Sequence, residues 1–158
     1  MLYSYIDRPV IALERGPQLL VWAMRRWVRD AADGGDPCRE IAAAFHAHRL
    51  ASVLPHFQLA MTLLTTAMRE PLLLGDESVA EHEALVLALI RTLPCGSLVQ
   101  AGDIAGQIVH AGAAPALADA LRQLALRLFA RDLLCADQAG RASARPPGRE
   151  GANDTGNA

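Results

Sequence analysis

Five histidines, three cysteines and one Trp–Arg cluster are the side chains of this 158-residue sequence whose chemistry could reach beyond packing. His46 and His48 read as a metal pair only in one dimension. Two residues apart on a helix they diverge by about 200°, so they cannot readily share an ion. His48 falls with Ile41, Ala44 and Phe45 on one apolar face, which makes it a buried, hydrogen-bonded side chain first and a ligand second. Glu81-His82-Glu83 resembles a fragment of a metal or acid–base site, but its three side chains point in three directions. HExxH or ExxH spacing would have placed ligands on one face. Cys38 and Cys95 stand near helix starts, where a dipole lowers a thiol pKa, yet neither has a histidine neighbour. A metal or thiol role would require His48, His82 and Cys95 to converge in space. No GxSxG, phosphate loop or dinucleotide fingerprint is present, so the sequence offers no catalytic group and implies no cofactor.

The most informative surface feature is on the first helix. Trp22 lies opposite Leu20, Met24 and Trp27, on the side of Arg25, Arg26 and Arg29. An aromatic among arginines suits a protein interface or a nucleic-acid contact. The plainer reading stacks Arg26 on Trp22, or covers Trp22 with the N-terminal segment. A second candidate contact is the apolar lip Leu72, Leu73 and Leu74, between the third and fourth helices.

The elements that must position these residues follow from composition and period. Ala and Leu dominate a 52% hydrophobic content, which favours helix over strand. The net charge of −2 argues against bulk attraction to nucleic acid or an anionic membrane, although every basic residue is Arg. Three cysteines without a CxxC suggest no disulfide framework and a reducing, cytoplasmic setting. The charged N-terminus lacks the apolar run of a secretory signal.

Residues 1–16 show no helical period and form an extended or mobile arm. Helix one runs from Pro17 to the DGG stop at 33–35, and Asp36-Pro37 opens helix two. The segment 54–70 is apolar around most of its circumference and is expected at the centre, enclosed by the other helices. Leu50–Met68 is free of formal charge, but Pro55, His56, Gln58 and three threonines mark it as a buried soluble helix rather than a membrane span. Ser78-Val79-Ala80-Glu81 reads as a capping box opening helix four. Helix five, about 98–110, is weakened by Gly102 and Gly106. The last helix begins at Pro115 and extends to about Ala136, with Leu126, Leu133 and Leu134 widening its apolar surface. The would-be recognition helix of a helix-turn-helix over 103–131 opens PALADAL, with no side chain suited to base edges. Residues 138–158 are Gly-, Pro- and Arg-rich and are expected to be disordered.

The run LLVWAMRRW, the AAAFHAH helix, HFQLAMTLLTTAMRE and the helix opening ESVAEHEALVLALI resemble a family of small, uncharacterised helical bacterial proteins over about residues 17–93. That resemblance implies a fold and no activity. Such relatives carry a cysteine-rich turn between the third and fourth helices, where this chain has PLLLGD, so no metal role transfers.

The sequence therefore reads as an all-α, single-domain bundle of five to six short helices around a central buried helix, with a helical domain at 17–137. Its expected function is non-catalytic interaction or regulation, through a protein partner or a second copy of itself. A nucleic-acid-associated regulator using the Trp22 face is the alternative, and a metal- or thiol-dependent enzyme the third class.

Overall fold

A computed structural model describes residues 5–94 and 96–134. Six α-helices succeed one another: α1 (Arg15–Ala32), α2 (Cys38–Ala47), α3 (Leu54–Ala67), α4 (Glu81–Thr92), α5 (Leu98–Ile108) and α6 (Ala114–Phe129). The chain is all-α, and none of the described helices is long and apolar enough to cross a membrane. Cys95, Cys135 and the expected disordered segment 138–158 lie outside the described residues.

Apolar spacing selects the buried faces. On α1, Leu20, Ala23, Met24 and Trp27 repeat at helical spacing and are buried together with Val21. Trp27 meets Phe57 edge-on at 6.2 Å between ring centroids, and Phe57 meets Phe45 at 5.4 Å. These three rings join α1, α2 and α3, within the favourable range for aromatic pairs.

The expected centre is buried on one face only. Phe57, Ala60, Met61 and Leu64 of α3 are buried, but Leu59 is 47% exposed. The exposed side of α3 carries Thr62, Thr65 and Thr66, whose hydroxyls donate back to carbonyls one turn earlier at 2.6–2.9 Å. Threonine thereby sits in a helix without a stranded hydroxyl. The most enclosed helix is α4, buried at Glu83, Ala84 and every residue from Val86 to Ile90.

The N-terminal segment packs on the loop that leads into α4. From Tyr5 onward it packs on the body instead of hanging free. The Asp7 and Val10 N–H groups donate to Val79 and Glu77 carbonyls, and the Val79 N–H donates to the Arg8 carbonyl. Tyr5 is buried and its hydroxyl accepts from Arg91 of α4. A 3-10 turn, Val10–Ala12, then leads into α1.

Three helices end in the same way. Gly34, Arg49 and Asp132 have φ of 68°, 59° and 55°, and each sits just past a helix end. After each, the next N–H reaches back five residues: Gly35 to Asp30, Leu50 to Phe45, Leu133 to Leu128. These are Schellman turns. The last one corrects the expected length of α6, which stops at Phe129. Leu133 and Leu134 consequently fold back on the core instead of extending an apolar stripe.

Candidate functional site

Arg25 is a structural clamp. Its Nε donates to Glu83 Oε1 at 2.7 Å and its Nη2 to Oε2 at 2.9 Å. The same guanidinium donates to the carbonyls of Asp76 and Ser78. Glu83 is fully buried and also accepts the N–H groups of Ala80 at 2.8 Å and Gly75 at 3.3 Å. The expected Ser78–Glu81 capping box is displaced accordingly: Ala80 is the N-cap, without a side-chain oxygen, and Glu83 supplies the return bond. Ser78 instead pairs with Pro9 in an isolated bridge. A side chain at Gly75 would overlap the Ser78 carbonyl, so glycine is required where the loop closes over Arg25.

Arg26 also works within the fold. It pairs with Asp30 one turn along α1 at 2.8 Å and with Glu40 of α2 at 2.9 Å, joining the two helices. The stack on Trp22 is replaced by these ion pairs. Arg29 is exposed and makes no side-chain ion pair or hydrogen bond among the described residues. Trp22 is 40% exposed and lines a cleft with Val10, Arg15, Gln18, Leu19, His48, Arg131 and Leu133. Of the four α1 residues expected to share one face, Trp22 and Arg29 are presented to solvent, while Arg25 and Arg26 are committed internally.

The lip at 72–74 is likewise divided. Leu72 packs against the core, Leu74 is half-buried and Leu73 is exposed. The Leu73 N–H donates to His82 Nδ1 at 2.9 Å, which fixes the loop on α4 and orients the imidazole. His48 is exposed, against the expected buried placement. It is the C-cap of α2, still bonded through its N–H to the Ala44 carbonyl, but at the helix end it lies beyond the surface that covers Ile41 and Phe45. Among the described residues no three His, Cys, Asp or Glu side chains gather in a way that could hold a metal ion. His56, in the first turn of α3, lies beside Arg127 and Asp119 of α6. Burial and the Arg127 charge push its pKa below the ordinary histidine value, with Asp119 opposing.

The sequence reading missed a groove between α5 and α6. It encloses about 620 Å³ and is lined by Leu98, Val99, Gly102, Asp103, Gly106, Gln107, Ala114, Ala118 and Asp119, among others. Val99 is 73% exposed and Leu98 43%, both projecting at the start of α5. The floor is made of small residues one turn apart, Gly102/Gly106 on one helix and Ala114/Ala118 on the other. That spacing is the signal in the sequence, where the same glycines also weaken α5. No family model, curated protein or solved structure matches the chain.

Proposed function

We propose that this chain is a non-catalytic helical interaction protein of regulatory type, which self-associates across the α5/α6 groove. The observation that carries the reading is the pairing of projecting apolar side chains, Leu98 and Val99, with a small-residue floor in the same groove. A two-fold contact is self-complementary by construction, so the projections of one copy meet the floor of the other. Asp103 and Asp119 on the rim need basic counterparts. Arg122, three residues along α6 from Asp119, is the basic residue that an antiparallel second copy would bring to this rim.

Sedimentation velocity on the untagged full chain tests this reading. The expected result is a dimer that Val99→Asp converts to a monomer with an unchanged helical signal, because Val99 buries little within its own protomer. A wild-type monomer at the highest attainable concentration would remove the reading.

A further inference from the structure

A second surface, on the opposite side of the sequence's logic, is built from charge. The cleft beside Trp22 encloses about 620 Å³, within the size range of small-molecule sites. Among the described residues its wall holds three basic side chains, Arg15, His48 and Arg131, and no carboxylate. None of the three makes a side-chain hydrogen bond or ion pair among the described residues. Arg25 and Arg26 are committed to acids and carbonyls, and Arg29 of the same helix does not line the cleft. Glu14 and Asp132 neighbour the cleft residues in sequence but do not line it.

The backbone holds the cationic residues in place. His48 and Arg131 occupy the same position in two Schellman turns, each immediately before the left-handed residue, Arg49 or Asp132. Arg15 opens α1, and the next residue, Gly16, packs against the Leu133 carbonyl so closely that any Cβ would overlap it. That contact brings the start of α1 against the turn after α6. Gln18, fastened by its Nε2 donating to the Val10 carbonyl at 3.1 Å, lines the cleft together with Trp22. Leu19, Leu133 and Val10 complete an apolar wall.

We propose that this cleft binds a small organic oxyanion with a planar apolar body. The body lies on Trp22 and Leu133, and Arg15 and Arg131 hold the anionic group through charge-assisted hydrogen bonds. A phosphate ester and a carboxylate share this chemistry. The inference goes beyond self-association and does not depend on it, since the cleft residues are separate from those of the α5/α6 groove.

The test titrates the full chain with 1-naphthyl phosphate, 1-naphthoate, neutral 1-naphthalenemethanol and inorganic phosphate, following the Trp22 indole N–H by NMR. Trp22→Phe assigns that signal against Trp27. The expected result is saturable binding of one or both naphthyl anions, which identifies the preferred oxyanion. The neutral alcohol should bind about tenfold more weakly or worse, as should the anion to Arg15→Gln and Arg131→Gln. Inorganic phosphate alone should bind more weakly than the naphthyl ester. Both arginines are exposed, so the variants should keep the wild-type fold, checked by the unchanged spectrum of buried residues. Equal binding of the neutral alcohol, indifference to both arginine substitutions, shifts centred elsewhere, or no saturation by either anion would each overturn the proposal.

Discussion

Arg25 and Glu83 meet through two parallel hydrogen bonds although 58 residues separate them in the chain. Arg25 retains 17% side-chain exposure while Glu83 has none. The pair does three things at once. It ties α1 to α4, caps the start of α4 through Ala80, and closes the 75–80 loop over the guanidinium. A buried carboxylate is tolerable only with such a complement, because each unpaired oxygen would forfeit its hydration.

Removing Arg25 should therefore act on stability before it acts on any partner. Arg25→Ala is expected to cost about 3 kcal/mol, since Glu83 stays buried with only backbone donors. Glu83→Gln should cost less than Glu83→Ala, because the amide oxygen still accepts the Ala80 N–H. Urea unfolding of the singles and the Arg25→Ala/Glu83→Gln double gives the coupling. A loss below about 1 kcal/mol for Arg25→Ala would mean that the pair behaves as a solvated surface bridge.

The clamp also shows which parts of the fold were legible in the sequence. Helix positions followed from apolar period and from proline and glycine punctuation, and Trp22 was correctly placed opposite Trp27. The partnership of Arg25 was not legible, because helical period tells which way a side chain points and not what stands 58 residues away. Likewise the apolar circumference of α3 marks it as central, whereas Leu59 and the threonines are exposed and α4 is the more enclosed helix. His48 is exposed although it shares the Ile41/Phe45 face, because period gives a direction and not whether anything covers the helix end.

Those turns carry their own prediction. Arg49 and Asp132 adopt φ of 59° and 55°, a region that disfavours a Cβ. Arg49→Gly should stabilise the chain by about 1 kcal/mol, despite the greater freedom glycine gains when unfolded. Asp132→Gly should give less, since aspartate tolerates this conformation better. Thermal melts of both variants decide the matter. A lower melting temperature for Arg49→Gly would show that the arginine side chain contributes more than the backbone strain removes.

Gly16 makes the opposite case. Its φ is ordinary for a helix, and the requirement comes from the Leu133 carbonyl that occupies the place of a Cβ. Gly16→Ala must separate α1 from the turn after α6, at about 1–3 kcal/mol for overpacking. The intrinsic helix preference of alanine, about 1 kcal/mol, acts in the other direction. A variant more stable than wild type would show that the two elements can part freely. NMR shifts of residues 131–134 should report the separation directly.

His56 supplies the pH prediction, and its sign follows from linkage. Burial and Arg127 hold its folded pKa below the ordinary value of 6.5, so the unfolded chain binds more protons in this range. Its contribution to stability is therefore fully present above pH 6.5. It is lost as pH falls from there through the lower folded value. Arg127 is itself anchored, its Nε donating to the Ser52 carbonyl at 3.0 Å, so its charge stays near α3 rather than swinging into solvent. Titration of the His56 ring protons should give a midpoint below that of a model peptide. Arg127→Gln should raise that midpoint by removing a repulsive charge, and Asp119→Asn should lower it by removing an attractive one. Replacing His56 by Gln should flatten the acid limb of stability between pH 6.5 and the folded midpoint. A midpoint at or above the model value, unmoved by Arg127→Gln, would mean that solvent screens the histidine from α6.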